Sequence, residues 1–200
     1  MQKSIKAAII VGVIVIGLGL ASPLFYEREI DEPLPAALNN IEEGLTLEKF
    51  SNMDEEQRLP LIEKMPEKVR NMIMDESSKI TKTVSQDMPE KMDTSESISI
   101  LKKGEFQGLV GHNAEGTAKI IQVNDQMYLR FENFQVTNGP DLRVYVTDGG
   151  DIKKSIHLEK LKGSKGDQNY LLENIDIETY DTVVIYCQPF GVYFGKADLL

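Results

Sequence analysis

Tryptophan is absent from the 200 residues, cysteine occurs once and histidine twice. A single cysteine excludes an internal disulfide and a multi-cysteine zinc site, which leaves a free thiol or an intermolecular bridge. There is no basic stripe: 22 Lys and Arg stand against 32 Asp and Glu, for a net charge of −10. Nucleic acid is therefore excluded as a partner class. No serine triad or glycosidase carboxylate pair is identifiable from spacing. The run Lys162–Asp167 lacks the full Walker spacing and reads as a Gly-Ser hairpin loop. Aromatic residues are few, seven Tyr and seven Phe, yet a hydrophobic share of 41% is enough for one core. The length allows one good-sized domain with additions.

What is present divides into three segments. Residues 1–26 carry two lysines and no acid, residues 27–97 carry 9 basic against 18 acidic side chains, and residues 98–200 carry 11 against 14. In the first segment, Ala7 to Ala21 is uninterrupted apolar, and Ser22 to Tyr26 extends the low-polarity stretch. At 1.5 Å per residue these twenty residues would make roughly 30 Å of helix, enough to cross a hydrocarbon core. Lys3 and Lys6 before the stretch and Glu27, Glu29, Asp31 and Glu32 after it predict a cytoplasmic N-terminus. Residues 7–26 thus read as a single-pass membrane anchor holding the remainder outside the cell. The rival is a signal peptide cleaved near Gly19-Leu20-Ala21, which would give a secreted product.

Residues 27–97 read as an acidic helical spacer and linker. Leu59, Ile62, Met65, Val69, Met72 and Ile73 recur at threes and fours and predict one apolar helical stripe. Asp54 to Glu56 suit a helix start, Pro66 should kink or divide the helix, and residues 75–97 read as a flexible linker. Met53, Met65, Met72, Met74, Met88 and Met92 are soft thioether donors, but they do not form close repeats, and helical packing accounts for most of them.

Residues 98–200 change to short strands separated by Gly, Asn and Pro turns. Met127, Leu129 and Phe131 alternate with Tyr128, Arg130 and Glu132, the pattern of a sheet with one buried face. Asn124-Asp125 marks a tight hairpin. Seven or eight such strands predict an all-β domain, a β-sandwich or barrel. Asn138-Gly139-Pro140-Asp141 is a turn in which Asp141 can bond local amides. Asp141, Asp148 and Asp151 lack the close alternating ladder of a calcium loop.

Several phrases combine across this segment. They are Gly104-x-Phe-x-Gly108, Gly116-Thr-Ala, Phe131-Glu-Asn-Phe, Thr137-Asn-Gly-Pro-Asp-Leu-Arg-Val-Tyr-Val146, Leu158-x-x-Leu-Lys-Gly-Ser, Tyr180-x-x-Val-Val-Ile-Tyr-Cys187 and Phe190-Gly-Val-Tyr-Phe-Gly-x-Ala197. In this order they resemble the DM13 domain over roughly residues 100–200. The resemblance implies an extracytoplasmic, DOMON-like all-β domain with a redox or electron-transfer role. That role would centre on a family cysteine, matched here by Cys187, acting as a naked thiol or as ligand to a prosthetic group such as haem.

Cys187 closes the run Thr182-Val183-Val184-Ile185-Tyr186 and shares a strand face with Val183 and Ile185. Burial as a small hydrophobe is the default for such a residue, whereas a redox thiol must be reachable and partly ionised. No His or Met follows Cys187, which excludes the blue-copper arrangement. A haem held by Cys187 would draw its second ligand from His112, His157 or Met127. Two functions stay open: a redox module with Cys187 as candidate thiol and tentative cofactor ligand, or a non-catalytic binding and adhesion module. Its partner would be an extracellular protein or a redox protein.

Overall fold

A computed structural model of the chain describes residues 32–89 and 98–200. The anchor expected over residues 7–26 lies outside the described residues. Among the described residues no helix is long and apolar enough to cross a membrane.

Two antiparallel sheets form the C-terminal domain. Four strands, β1 (Ser99–Glu105), β3 (Ala114–Val123), β4 (Gln126–Val136) and β7 (Gln168–Leu172), make one sheet in the order β1-β3-β4-β7. Five strands make the other in the order β2-β9-β8-β5-β6: β2 (Gln107–Gly108), β9 (Val192–Asp198), β8 (Thr182–Cys187), β5 (Leu142–Thr147) and β6 (Ser155–Lys160). Period-two alternation turns Ala118, Ile120, Leu129, Phe131 and Tyr170 of the first sheet toward Leu142, Val144, Val146, Val183, Ile185 and Cys187 of the second, and all are buried in one core. The two-sheet sandwich is thus the observed form of the expected all-β domain. The Asn124-Asp125 hairpin forms as expected, with Val123 opposite Gln126 and Asn124 in the left-handed region at φ 55. Two boundaries differ from the sequence reading. β3 begins at Ala114 because a bulge between Glu115 and Thr117 absorbs an extra residue, and β6 forms an additional edge strand around His157.

Among the described residues four helices precede the sandwich: α1 (Leu34–Ile41), α2 (Leu47–Asn52), α3 (Glu55–Lys64) and α4 (Glu67–Ser78). Thr46 caps α2 by accepting from the Lys49 amide, and Asp54 precedes an acidic first turn of α3. Pro66 separates α3 from α4, as expected from its missing amide. Helix α1 starts directly after Pro33 and contains Pro35 in its first turn, where proline is tolerated. The helices enclose a second core of Leu34, Leu38, Leu45, Phe50, Leu61, Met65, Val69 and Ile73.

The expectation of a spacer and free linker needs correction. One compact unit runs from Leu34 to Leu200, helices included. After α4 the chain does not run free but lies along the sandwich. The Val84 amide donates to the Lys165 carbonyl at 2.8 Å and the Gln86 amide to Asp167 at 2.9 Å. Gly166, at φ +101, makes this possible: a Cβ there would stand 1.9 Å from the Val84 carbonyl oxygen. Arg130 adds a clamp, donating to the Gln86 carbonyl at 3.2 Å while pairing with Asp167 at 3.0 Å. A polar, proline-containing sequence reads as linker, yet backbone pairing with a distant loop fixes Val84 and Gln86 here.

Candidate functional site

Cys187 ends β8, opposite Leu142 on one side and Val192 on the other. The Gly191 amide donates to the Cys187 carbonyl at 3.0 Å, which closes the turn Gln188–Gly191. Gly191 sits at φ +65, a conformation that glycine adopts without cost. This turn carries Phe190 at the edge of the sandwich core. Phe190 packs against both the sandwich core and the helical core, stacking on Phe50 of α2 at 5.8 Å between centroids. The helical layer and the cysteine are therefore joined through a single aromatic step.

Above the same end of the sandwich lies a buried ion pair. Arg58 of α3 donates through Nη2 to Asp141 Oδ2 at 2.5 Å, with both side chains only 1% exposed. Arg143 Nη2 reaches the same oxygen at 3.1 Å, and Lys160 Nζ stands 3.9 Å from the other. Arg58 also donates to the Phe50 carbonyl at 3.4 Å, and its guanidinium lies 5.7 Å from the Phe50 ring centre. Asp141 thus does more than the local turn bonding expected of it. It ties the Asn138–Asp141 turn to the helices.

The thiol itself is fully enclosed, at 0% exposure. Burial pushes it up from an ordinary 9.0 to about 12, opposed in part by hydrogen bonds from the Phe190 and Asp141 backbone. In the folded chain Cys187 is therefore a neutral thiol at physiological pH. One consequence is measurable. The unfolded chain loses this proton above 9.0, whereas the folded chain keeps it up to about 12. The thiol's share of stability is whole below the lower value and is lost as pH rises toward the upper one, at about 1.4 kcal/mol per pH unit. Urea titrations of wild type and Cys187→Ala between about pH 9 and 11 are expected to give a shallower decline in the variant by that amount. Equal slopes would show that the thiol ionises as freely in the folded chain as in the unfolded one.

A haem on Cys187 would need an open approach to Sγ and a slot for the macrocycle. The residues present do not fit it. Cys187 lines neither of two surface clefts of about 630 and 570 Å³, although His112 lines the first. His112 is engaged in stacking on Phe194, with 3.6 Å between ring centres. His157 lies on β6 facing away from the core, its ring 5.0 Å from that of Tyr145. Among the described residues no three His, Cys, Asp or Glu side chains converge as a metal site.

Sequence reasoning missed Arg58. It occupies the inward stripe of α3 ahead of Leu61 and Met65, whereas Leu59, assigned to that stripe, is 51% exposed. A charge at an apolar register position was the available signal.

An antiparallel sandwich with an enclosed strand-end cysteine is the class that fold and site define. Within it, residues 105–199 match the family model described as Electron transfer DM13. No curated protein and no solved structure matched the chain.

Proposed function

We propose that this chain is an electron-transfer module, anchored to a membrane through residues 7–26 and carrying its β domain on the extracytoplasmic side, in which Cys187 is the redox side chain. The observation that carries this reading is the position of the only cysteine, at the end of β8 within the residues matched as Electron transfer DM13. A signal peptide cleaved after Ala21 would leave the same chemistry in a secreted form. The neutral, enclosed thiol requires an opening step before it reacts. The seam of the helical layer suits that step: it is held by the Arg58–Asp141 pair and the Phe50–Phe190 stack, beside a cleft of about 570 Å³ that runs between α2 and the Asn138–Leu142 turn. The partner is a redox protein on the same side of the membrane.

Burial of Cys187 favours a second reading, a binding or adhesion module in which the cysteine only fills space. Electrochemistry of the full chain separates the two. The redox reading expects a wave that Cys187→Ser abolishes while the circular dichroism spectrum is kept. A silent wild type, with partner binding intact in Cys187→Ser, leaves the binding module.

A further inference from the structure

The outer face of the five-stranded sheet carries four rings in unbroken succession. His157 of edge strand β6 stands 5.0 Å from Tyr145 of β5, Tyr145 stands 6.0 Å from Tyr186 of β8, and Tyr186 stands 5.1 Å from Tyr193 of β9. Tyr145 and Tyr193 project on this face because their strand partners inside, Val144 and Phe194, point into the core. Tyr186 follows the same rule, lying between the inward Ile185 and Cys187. The row begins at an exposed imidazole, passes through Tyr145 at 8% exposure, and reaches two half-buried phenols at the far end. Two of the phenols are held by polar groups: Tyr145 donates to Gln188 Oε1 at 2.7 Å, and Tyr193 accepts from the Ile152 amide at 3.1 Å. Aromatic cross-strand pairs stabilise sheets, but sheet stability alone does not call for three oxidisable phenols in contact.

We propose that Tyr145, Tyr186 and Tyr193 form a one-electron relay across the outer face of the sheet, entered at His157. The inference rests on the electron-transfer reading of the domain but does not need Cys187 to react. A one-electron oxidant of the metal-complex class at the His157 edge, a ruthenium(III) polypyridine in the test below, is reduced to ruthenium(II) as it takes an electron from the Tyr145 phenol, whose O–H bond breaks and whose proton passes to water. The Tyr145 phenoxyl is refilled by an electron from Tyr186, and Tyr186 in turn from Tyr193. Each refilled oxygen regains a proton and each newly oxidised phenol loses one. A hydroquinone then restores Tyr193 by giving up one electron and one proton, and becomes a semiquinone.

The test places a ruthenium bipyridine photo-oxidant on the exposed His157 of the full chain, with the labelled position confirmed by peptide mapping. After a flash, freeze-quench electron paramagnetic resonance reads phenoxyl radical. Wild type is expected to form it on Tyr186 and Tyr193 as well as Tyr145, and added hydroquinone is expected to quench it. Tyr145→Phe keeps the ring packing but removes the oxidisable oxygen, so radical on Tyr186 and Tyr193 should fall about tenfold or more, as a barrier rise of about 1.4 kcal/mol or more would cause. Tyr186→Phe should confine the radical to Tyr145, and Tyr128→Phe on the other sheet should change nothing. Absence of phenoxyl in wild type, or an unchanged yield on Tyr193 in Tyr186→Phe, overturns the relay. Radical transfer that persists in Cys187→Ser leaves the relay standing, even where loss of the electrochemical wave has been sought and not found.

Discussion

Arg58→Met is expected to destabilise the chain by about 3 kcal/mol, because breaking a buried ion pair leaves the other charge uncompensated. The estimate sits at the lower end of the range for such pairs, since Arg143 and Lys160 remain near Asp141 after the change. Methionine replaces most of the volume of the arginine stem, so the loss reports charge more than packing. The measurement is the urea midpoint at constant m-value. Arg58→Met combined with Asp141→Asn should recover part of the loss, as no unpaired carboxylate then remains in the interior. A single variant as stable as wild type would show that Arg143 alone suffices for Asp141.

Phe50→Ala is the second large effect, expected at about 3–5 kcal/mol from lost burial and the cavity left behind. Phe50 is 0% exposed, and it supports Phe190 on one side and the Arg58 guanidinium on the other. Its removal therefore loosens two attachments of the helical layer at once. Alkylation of Cys187 by iodoacetamide, followed by mass spectrometry under native conditions, is the functional readout. In wild type it should be slow, in keeping with a thiol pushed up to about 12. In Phe50→Ala it should accelerate, since local opening exposes the end of β8. A destabilised variant with unchanged alkylation would show that the sandwich itself shields the thiol and that the helices do not gate it.

Much of the sandwich was legible in advance, and the reason is local. The alternation at Met127–Glu132, the Asn124-Asp125 hairpin and the β-branched run before Cys187 each encode their own geometry within a few residues. Period two also placed Cys187 with Val183 and Ile185 inside, where it is found. The partners lie beyond the reach of such patterns. Asp141 meets an arginine 83 positions earlier in the chain, and Asn169 donates its amide to Gln86 across a comparable distance. No periodicity encodes a pairing of that kind, and a charged side chain on an acidic helix reads as solvated until the fold buries it. The aromatic row was hidden for a related cause: each tyrosine belongs to a different strand segment, and strand order decides which rings touch.

The position of Arg58 also bears on how such a domain is inherited. The matched family region begins at residue 105, so Arg58, the nearest of the cations around Asp141, comes from a separate stretch of chain, while Arg143 and Lys160 lie within the region. The matched piece and the compact unit, which runs from Leu34 to Leu200, are consequently of different size. A recombination event that moved residues 105–199 alone into another protein would leave Asp141 with Arg143 and Lys160 but without its shortest ion pair. A host that supplied a positive charge at that end of the sandwich, or a neutral residue in place of the aspartate, would compensate for the lost pair.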